Sequence, residues 1–378
     1  MIHTTPWIAI AVLALAAASL IYTAFSLVRL ATLRLPEPAR GEALPSITVL
    51  KPLNGLEPEL EANLATFCDQ EYPRFQVIFS VRDAGDPALE IAQRLQTRFP
   101  HANIELVTSP GAQLPNPKID NLVGAMPRVT GEIVVIADSD MHVDRQYLRG
   151  VVAPFADPRV GAVTALFGAS ATGSLASRVG ALLIDDQFTP SMLVARALEP
   201  ARYCVGATMA VRRTILEEIG GIEAIGRNIA DDYMLGYLVS ERGYLVGLAG
   251  CIPITVISER TLRELWAREL RWARTVRAVR PVGFAGTLIT FPLPFAIVAL
   301  LFAPSAVLGV GLFAAALALR LGVHVLAHRR LGIPGRPQPW LVPLRDLLSL
   351  GIWIVSYFGR DARWRNRELR MAGDGSLH

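Results

Sequence analysis

The sequence is poor in cysteine, and the three cysteines that it has form no recognisable binding motif. Cys68, Cys204 and Cys251 are far apart, so no CxxC pair exists, and no histidine cluster accompanies them. This pattern disfavours a disulfide framework and a structural zinc site, and it fits a domain that is kept in a reducing compartment.

The chain also has little net charge, and its basic residues are unevenly distributed. A formal charge of +4 is small for 378 residues. The basic residues cluster beside apolar segments, at Arg29, Arg34 and Arg40 and again between Arg260 and Arg280. No aromatic-interleaved basic stripe accompanies them, which argues against nucleic-acid binding and favours anchoring at an anionic membrane face.

Long apolar runs, in contrast, are abundant. The chain is 52% hydrophobic and has a mean hydropathy of +0.38. Trp7–Val28 is apolar over a length that can cross a hydrocarbon core of ~30 Å. A cleaved signal peptide would need basic charge before this run, and Met1–Pro6 has none. We therefore predict an uncleaved membrane anchor.

Three further apolar segments lie near the C-terminus. They are Phe284–Ala303, Ser305–Ala327 and Trp340–Phe358, the last interrupted by Arg345 and Asp346. Basic residues flank the polar region between the first anchor and these segments on both sides. The positive-inside rule therefore places the polar region in the cytoplasm.

The number of complete crossings among these segments is constrained by charge. A basic loop at 328–336 and a basic tail at 360–370 both favour the cytoplasmic side, which three complete crossings would not allow. One of the three segments is therefore expected to be re-entrant, interfacial or split. Pro292 and Pro294 make the first of them a candidate for a broken helix.

The polar region alternates between patterns typical of strands and patterns typical of helices. Strands are predicted at Ile47–Leu50, Phe75–Val81, Asn103–Val107, Glu132–Ala137 and Val205–Val211. Helices are predicted at Leu56–Phe67, Pro87–Phe99, Ile119–Met126, Ala176–Ile184, Ser191–Leu198, Thr214–Ile219 and Ile229–Gly243. Alternation of this kind indicates βαβ units and an α/β fold with a mainly parallel sheet, in which ligands bind beyond the carboxyl ends of the strands.

Acidic residues directly follow two of these strands. Asp138 and Asp140 lie two residues apart after Glu132–Ala137, where they can present oxygens to one hard divalent cation, Mg²⁺ or Mn²⁺, and so neutralise a diphosphate. Asp83 follows Phe75–Val81 and can accept hydrogen bonds from a nucleotide base. Its alternative role, capping the next helix, is better served by Asp86.

A second acidic pair begins a predicted helix. Asp232 can act as the general base that deprotonates an acceptor hydroxyl, while Asp231 and Asp232 can alternatively stabilise the helix N-terminus electrostatically. One residue of the pair can serve each purpose. Asp185 and Asp186 form a rival pair, which follows a predicted helix and does not begin one.

Basic and aromatic residues complete the candidate site. Arg268 and Arg271 lie three apart on one helix face beside Trp272. Guanidinium groups suit a diphosphate and an indole can stack on a base or sugar; alternatively, the segment is an amphipathic helix at the membrane surface, which is compatible with the first role. Lys118 is either a phosphate or uridine contact or an exposed lysine in a turn.

The order of these motifs resembles that of the ceramide glucosyltransferase family of inverting GT-A enzymes, which includes the bacterial hopanoid-biosynthesis glycosyltransferases. Further matching stretches are Val49–Leu53, Asn116–Lys118, Gly206–Met209 and Gly220-Gly221. The resemblance implies a GT-A fold, Rossmann-like with a mainly parallel sheet, one N-terminal membrane segment and about three C-terminal ones. It covers roughly residues 45–280 and the arrangement of the membrane segments.

The resemblance also implies roles for the site residues. Asp83 would bind the uracil, Asp138 and Asp140 the metal-bound diphosphate, and Asp232 would be the base. The diphosphate site would be closed by Arg268, Arg271 and Trp272. Processive polysaccharide synthases typically carry Gln at the position of Arg268, so its presence favours the transfer of a single sugar.

The implied function is transfer of one sugar from a UDP-sugar, UDP-N-acetylglucosamine or UDP-glucose, to a hydroxyl of a membrane lipid. The acceptor would be a hopanoid such as bacteriohopanetetrol, or ceramide, and the alanine- and arginine-rich composition favours a bacterial inner membrane and a hopanoid. A processive polysaccharide synthase and a non-catalytic membrane binding protein are the alternatives.

Four regions follow from these patterns. Residues 1–34 are expected to form the N-terminal anchor and residues 35–258 the GT-A domain. Residues 259–282 would be an amphipathic interface segment with the RxxRW motif, and residues 283–378 a C-terminal membrane region with a basic tail.

Overall fold

The computed structural model describes residues 6–359, 361–364 and 367–370, and the chain divides into two compact units. The α/β unit is built from Arg34–Phe167 and Pro200–Val256. The helical unit contains the described residues up to Leu33, together with Gly168–Glu199 and the described part of Ile257–Leu369. The expectations for charge before the anchor and for the basic tail fall partly on Met1–Thr5, Arg360 and Arg365, which lie outside the described residues.

The secondary structure elements are numbered in chain order. The strands are β1 Ile47–Pro52, β2 Phe75–Val81, β3 Asn103–Thr108, β4 Ile133–Ala137, β5 Met141–His142, β6 Val160–Thr164, β7 Gly168–Ala171, β8 Thr208–Arg212, β9 Leu245–Leu248, β10 Ile254–Ile257, β11 Asp361–Trp364 and β12 Arg367–Arg370. The helices are α1 Pro6–Ala31, α2 Leu60–Cys68, α3 Ala88–Arg98, α4 Pro117–Val123, α5 Tyr147–Val152, α6 Leu175–Leu183, α7 Thr189–Leu198, α8 Arg213–Glu218, α9 Asp231–Glu241, α10 Leu262–Val279, α11 Pro281–Gly286, α12 Pro292–Phe302, α13 Ala306–Arg330 and α14 Val342–Ser356.

The α/β unit contains a seven-stranded sheet within the described residues, in the order β3-β2-β1-β4-β8-β6-β9. The first four strands of this order are parallel. Strand β8 runs antiparallel to both β4 and β6, and β9 is parallel to β6. The expected α/β fold with a mainly parallel sheet is therefore confirmed, with one reversed strand that the alternating pattern did not predict.

The parallel part of the sheet explains where the acidic motifs emerge. All five residues of β4 are buried, as expected for a strand covered on both faces. Strands β2 and β4 both pair in parallel with β1, so their carboxyl ends lie at the same edge of the sheet with one strand between them. Asp83 and Asp138 follow those ends.

One predicted helix begins later than expected. The sequence predicts a helix from Leu56 with an acidic first turn, but α2 starts at Leu60. The residue before α2, Glu59, has a left-handed backbone conformation with φ 60°. A right-handed helix therefore cannot run through Glu59 from Leu56. Glu57 therefore lies in a loop and is available to the candidate site.

The helical unit contains two helices that are long and apolar enough to cross a membrane, among the described residues: Trp7–Ala31 within α1, and α13. A third candidate is the pair Pro281–Thr290 and Pro292–Phe302, which is bent by 61° at a short break. The bend begins at the prolines that were expected to break this segment, since proline removes a backbone donor.

The last predicted membrane segment folds differently from its hydropathy pattern. Trp340–Phe358 forms α14, whose 15 residues span about 22 Å, less than a hydrocarbon core of ~30 Å. The two charges that interrupt it, Arg345 and Asp346, are fully buried. The structure therefore supports two or three membrane helices, one of them N-terminal, and not three complete C-terminal spans.

Candidate active site

The DxD turn connects β4 to β5, and its side chains have separate partners. Strand β5 pairs antiparallel with β10, which brings Thr255 opposite Met141. The Thr255 hydroxyl donates to Asp140 Oδ2 over 3.0 Å. The Ser139 hydroxyl donates to Glu57 Oε2 over 2.6 Å, so the loop before α2 contributes a third carboxylate to the turn.

The turn carries more negative charge than its surroundings neutralise. Burial, followed by the charges of Asp138 and Glu57, raises the pKa of Asp140 to about 7. Beneath the turn, the buried amine of Lys51 donates to the backbone carbonyl of Asp138 and lies 3.5 Å from the centre of the Phe67 ring. Burial lowers the pKa of Lys51 to about 7, which limits its ability to compensate the carboxylates.

This donor set fits a hard divalent cation. The side-chain oxygens of Asp138 and Asp140 are ligands that Mg²⁺ and Mn²⁺ prefer, and a cation would relieve the repulsion that raises the pKa of Asp140. Among the described residues, no group of three or more His, Cys, Asp or Glu side chains is arranged to hold a metal ion alone. A cation bound here would therefore need further oxygen ligands from water or from a diphosphate.

Lys118 links the DxD turn to the second acidic pair. It lies in the first turn of α4, where the Asn116 side chain caps the helix by accepting from the amides of Lys118 and Ile119. The Lys118 amine lies 2.8 Å from Asp138 Oδ1 and 3.2 Å from Asp231 Oδ2. Because the side chain is only 10% exposed, Lys118 is not the exposed turn lysine of the alternative interpretation.

The charge state of Lys118 follows from these contacts. Burial alone would lower the pKa of the amine, but the charges of Asp138 and Asp231 outweigh burial and raise it. Lys118 is therefore a fixed cation that holds two acidic motifs close together, although they lie far apart in sequence.

The two aspartates at the start of α9 have different surroundings. Asp231 is buried, pairs with Lys118, and accepts from Asn116 Nδ2 over 3.3 Å. Asp232 accepts the amide of Tyr233 over 2.8 Å, and its Oδ2 would lie 3.2 Å from a Cβ placed on Gly206. Burial and the neighbouring charge of Asp231 raise the pKa of Asp232 to about 7, against the opposing effect of Lys118.

Asp83 lies on an exposed loop after β2. Its Oδ1 accepts the amide of Gly85 over 2.9 Å. Asp86 Oδ1 accepts the amide of Ala88, the first residue of α3, over 2.9 Å, but the N-cap position itself is occupied by Pro87, because α3 begins one residue later than predicted. Arg82, which directly precedes Asp83, pairs with the buried Asp120 over 3.0 Å.

Three residues at the site were missed by the sequence patterns. Asp120 accepts the amides of Ala112 and Leu114 over 2.8 Å each, and so shapes the loop beside Arg82. The sequence pattern places Glu57 in a helix, and it gives Lys51 no role beyond its place in a stretch that resembles the family. The Lys-Pro pair that ends an apolar strand was the one local signal for Lys51.

The RxxRW motif lies on α10 of the helical unit. Arg268 pairs with Glu259 over 2.7 Å, and its guanidinium carbon lies 4.9 Å from the centre of the Trp272 ring. Arg271 is partly buried on the same helix. Between them, Glu269 is buried and pairs with Arg345.

The rival acidic pair is occupied by structural contacts in the helical unit. Asp185 accepts the amide of Ala169 over 2.8 Å. Both carboxylate oxygens of Asp186 lie 3.0 Å from Nδ1 of His324. These contacts favour a structural role for the pair.

Comparison with solved structures supports the fold. A mannosyltransferase from Pyrobaculum calidifontis, solved in complex with GDP-Man and Mn²⁺, is similar to this chain with a TM-score of 0.60 and 21% sequence identity. The match covers 93% of this chain and 99% of the mannosyltransferase. The chain therefore has a GT-A-like α/β fold, as predicted.

Comparison with curated proteins gives partial matches. A ceramide glucosyltransferase of Komagataella phaffii is 33% identical over 113 residues, 29% of this chain and 22% of the relative. Ceramide glucosyltransferase 3 of Caenorhabditis elegans is 20% identical over 240 residues, 63% of this chain and 52% of the relative. The beta-monoglucosyldiacylglycerol synthase of Synechocystis is 26% identical over 211 residues, 54% of this chain and 42% of the relative.

The chain thus spans about half or less of the length of these relatives. The family model for glycosyl transferase family 21 matches nearly all of this chain, over residues 11–377. The resemblance to the ceramide glucosyltransferase family is confirmed, and the chain belongs to glycosyl transferase family 21.

Proposed function

We propose that this protein is a membrane-bound inverting glycosyltransferase that moves one sugar from a UDP-sugar to a hydroxyl of a membrane lipid. The observation that carries the proposal is the joining of two acidic motifs through Lys118, which contacts Asp138 over 2.8 Å and Asp231 over 3.2 Å. A site with one pair of carboxylates for a metal-bound diphosphate and another for proton abstraction has the groups that sugar transfer needs.

The donor end of the reaction is assigned to the DxD turn. Asp138 and Asp140 would hold a divalent cation, which supplies charge neutralisation to the leaving diphosphate when it is bound. Asp83, on the loop after the neighbouring strand, would accept hydrogen bonds from the uracil. Arg268, Arg271 and Trp272 are proposed as further donor ligands, because guanidinium groups bind phosphate oxygens bidentately and an indole stacks on a planar base.

The acceptor end is assigned to Asp232. Asp231 is engaged by Lys118 and Asn116, which leaves Asp232 as the carboxylate of the pair without a cationic contact at ion-pair distance within the described residues. Its raised pKa makes it a stronger base than an ordinary aspartate when it is ionised. A single in-line displacement with Asp232 as base inverts the anomeric carbon, so an α-linked UDP-sugar gives a β-linked glycolipid.

The identity of the sugar and of the lipid is the finer part of the proposal. The names of the relatives favour glucose as the sugar and ceramide or diacylglycerol as the acceptor type. UDP-N-acetylglucosamine and a hopanoid polyol remain the alternative donor and acceptor. The proposed arrangement has residues 35–258 as the catalytic domain on the cytoplasmic side of a bacterial inner membrane, anchored by 1–34 and 283–378, with 259–282 at the interface.

The test is a transfer assay with membranes that contain the full chain. Labelled UDP-glucose and UDP-N-acetylglucosamine are each offered with ceramide, diacylglycerol and bacteriohopanetetrol, and the lipid extract is analysed by mass spectrometry. We expect one glycolipid that carries a single sugar, loss of transfer in EDTA, and recovery with Mn²⁺ or Mg²⁺. A polymeric product, or no product with any pair, would contradict the function, and full activity in EDTA would contradict the metal assignment.

A further inference from the structure

The helix that carries the RxxRW motif has few buried side chains. Of the 18 residues of α10, all of which the structure describes, Leu265 and Glu269 are the buried ones. They lie four residues apart and therefore on one face of the helix. The fully buried part of α10 thus combines one leucine with one acidic residue that lies inside the motif itself.

Glu269 is held by a buried arginine in a two-point contact. The Arg345 side chain is 0% exposed and the Glu269 side chain 2% exposed. The two terminal nitrogens of Arg345 donate to the two carboxylate oxygens of Glu269 over 2.8 Å each. Arg345 also donates to the Ser349 hydroxyl over 3.0 Å and to the carbonyl of Val179 over 3.3 Å. A single guanidinium therefore joins α10 to α14 and to α6.

Close packing of α6 against α10 accompanies this contact. A Cβ placed on Gly180 of α6 would lie 2.8 Å from a methyl carbon of Leu265 and 2.9 Å from a terminal nitrogen of Arg268. A side chain at this position would displace the ends of both neighbours, so glycine permits the close approach of α6 and α10. The first arginine of the motif therefore lies close to α6, the same helix in which the carbonyl of Val179 accepts a hydrogen bond from Arg345.

The geometry of the ion pair restrains α10 more strongly than the leucine does. An apolar contact permits small rotations and shifts with little loss, whereas a bidentate arginine–carboxylate pair requires two parallel hydrogen bonds in one plane. Rotation of α10 about its axis would break at least one of them in a buried environment, where an unpaired charge is costly. Further along α10, Arg274 and Arg277 donate to the carbonyls of Phe358 and Gly359, but the Glu269–Arg345 pair is the restraint that lies within the motif. The pair therefore restrains the rotation of α10 at the motif and the directions in which Arg268 and Arg271 project.

We propose that Glu269 and Arg345 are positioning residues, which orient Arg268 and Arg271 for the diphosphate of the donor. The inference rests on the proposed function, because it needs the motif arginines to be donor ligands. It assigns a role to the acidic residue within the motif and to an arginine 76 residues later in the chain.

The test compares two isosteric substitutions of buried carboxylates in the same unit. Glu269→Gln leaves Arg345 without its anionic partner. Asp346→Asn does the same to Arg320, which contacts Asp346 through nitrogens at 3.0 Å and 2.7 Å and is equally buried, but lies outside the motif helix. The KM values for the UDP-sugar and for the lipid, kcat, and the thermal stability are measured for the full-length protein in detergent.

We expect both variants to lose thermal stability, and only Glu269→Gln to raise the donor KM, by about tenfold, with an unchanged lipid KM. An equal rise of the donor KM in both variants, or an unchanged donor KM in Glu269→Gln, would overturn the inference. If Glu269→Gln does not fold, Arg345→Lys, which keeps the charge and loses the second hydrogen bond, takes its place, and an unchanged donor KM in that variant overturns the inference.

The wild-type protein shows whether a failure concerns the proposed function or the positioning role. If the wild type transfers no sugar, the binding of UDP with Mn²⁺ is measured by calorimetry. Weaker binding in Glu269→Gln than in Asp346→Asn would still support the positioning role, while equal binding, or no binding by the wild type, would overturn it.

Discussion

The two units of this protein treat their buried carboxylates differently. In the helical unit, Glu269 and Asp346 each face an arginine at 2.7–2.8 Å, and Asp186 lies 3.0 Å from His324. Asp185 is the exception in that unit, because burial and the charge of Asp186 raise its pKa. In the α/β unit, several carboxylates share the amines of Lys51 and Lys118: Glu57, Asp138, Asp140, Asp231 and Asp232. Burial, followed by repulsion from neighbouring carboxylates, raises the pKa of Asp140 and of Asp232.

The difference indicates which acidic residues maintain the fold and which are available for chemistry. A carboxylate with its own cation is a structural element whose loss leaves a buried charge unpaired. A group of carboxylates that repel one another costs stability, and such groups concentrate at sites that bind cations or transfer protons. In this member of glycosyl transferase family 21, the contrast favours the acidic cluster around Lys118 as the candidate site.

The largest expected effect is on catalysis in the α/β unit. Asp232→Asn should lower kcat by ~10²–10⁴-fold, because it removes the proposed general base while keeping its shape. Its thermal stability should be kept or increased, since the repulsion between Asp231 and Asp232 is removed. Steady-state kinetics and thermal unfolding measure both effects.

The control for this variant is Asp144→Asn. Asp144 is an exposed carboxylate just beyond the DxD turn, where its Oδ1 accepts the amide of Gln146 over 2.8 Å. The Asp144→Asn variant should retain the wild-type kcat. Full activity in Asp232→Asn together with inactivity of Asp231→Asn would assign the base to the other member of the pair.

For a buried charge in the helical unit, we expect a loss of stability instead of a loss of catalysis. Arg320→Met leaves Asp346 buried without its cation and should lower the free energy of unfolding by about 3–5 kcal/mol. Arg159→Met, which removes an exposed pair with Asp157, should cause no measurable change. Denaturant unfolding in detergent compares the two variants, and equal stability would mean that the buried pair contributes nothing to the fold.

A smaller and graded effect on kcat is expected from a change of pH. Asp232 must be ionised to act as a base, and burial beside Asp231 raises its pKa to about 7, with Lys118 and Asp138 as the other charges that act on it. At saturating Mn²⁺, kcat should be near its plateau above pH 8 and fall about tenfold per pH unit well below pH 7. A kcat that stays constant down to pH 5 would show that no group with this pKa must be ionised.

Local patterns predicted the parts of the structure that depend on neighbouring residues. Strand β2 occupies the predicted residues Phe75–Val81, because an apolar run between turn residues specifies a buried strand. The position of Asp138 at the end of β4 followed from the same kind of pattern. The broken helix at Pro292 was likewise predictable from proline chemistry.

The remaining features depend on contacts between distant residues, which one sequence does not reveal. The burial of Lys118 requires Asp138 and Asp231 to converge from separate loops. The hydropathy of Trp340–Phe358 suggested a membrane span, but Arg345 is satisfied by Glu269, 76 residues earlier. The role of Glu57 depends on one left-handed residue, Glu59, which local acidity did not predict.

The configuration of the glycolipid product tests the central claim most directly. The full-length protein in membranes is incubated with UDP-glucose and ceramide, or with the donor and acceptor that the transfer assay identifies, and the anomeric linkage is determined by NMR spectroscopy. A β-linked monoglycosyl lipid that Asp232→Asn fails to form is the predicted result. An α-linked product, or a β-linked product formed at the wild-type rate by Asp232→Asn, would contradict inversion with Asp232 as the base.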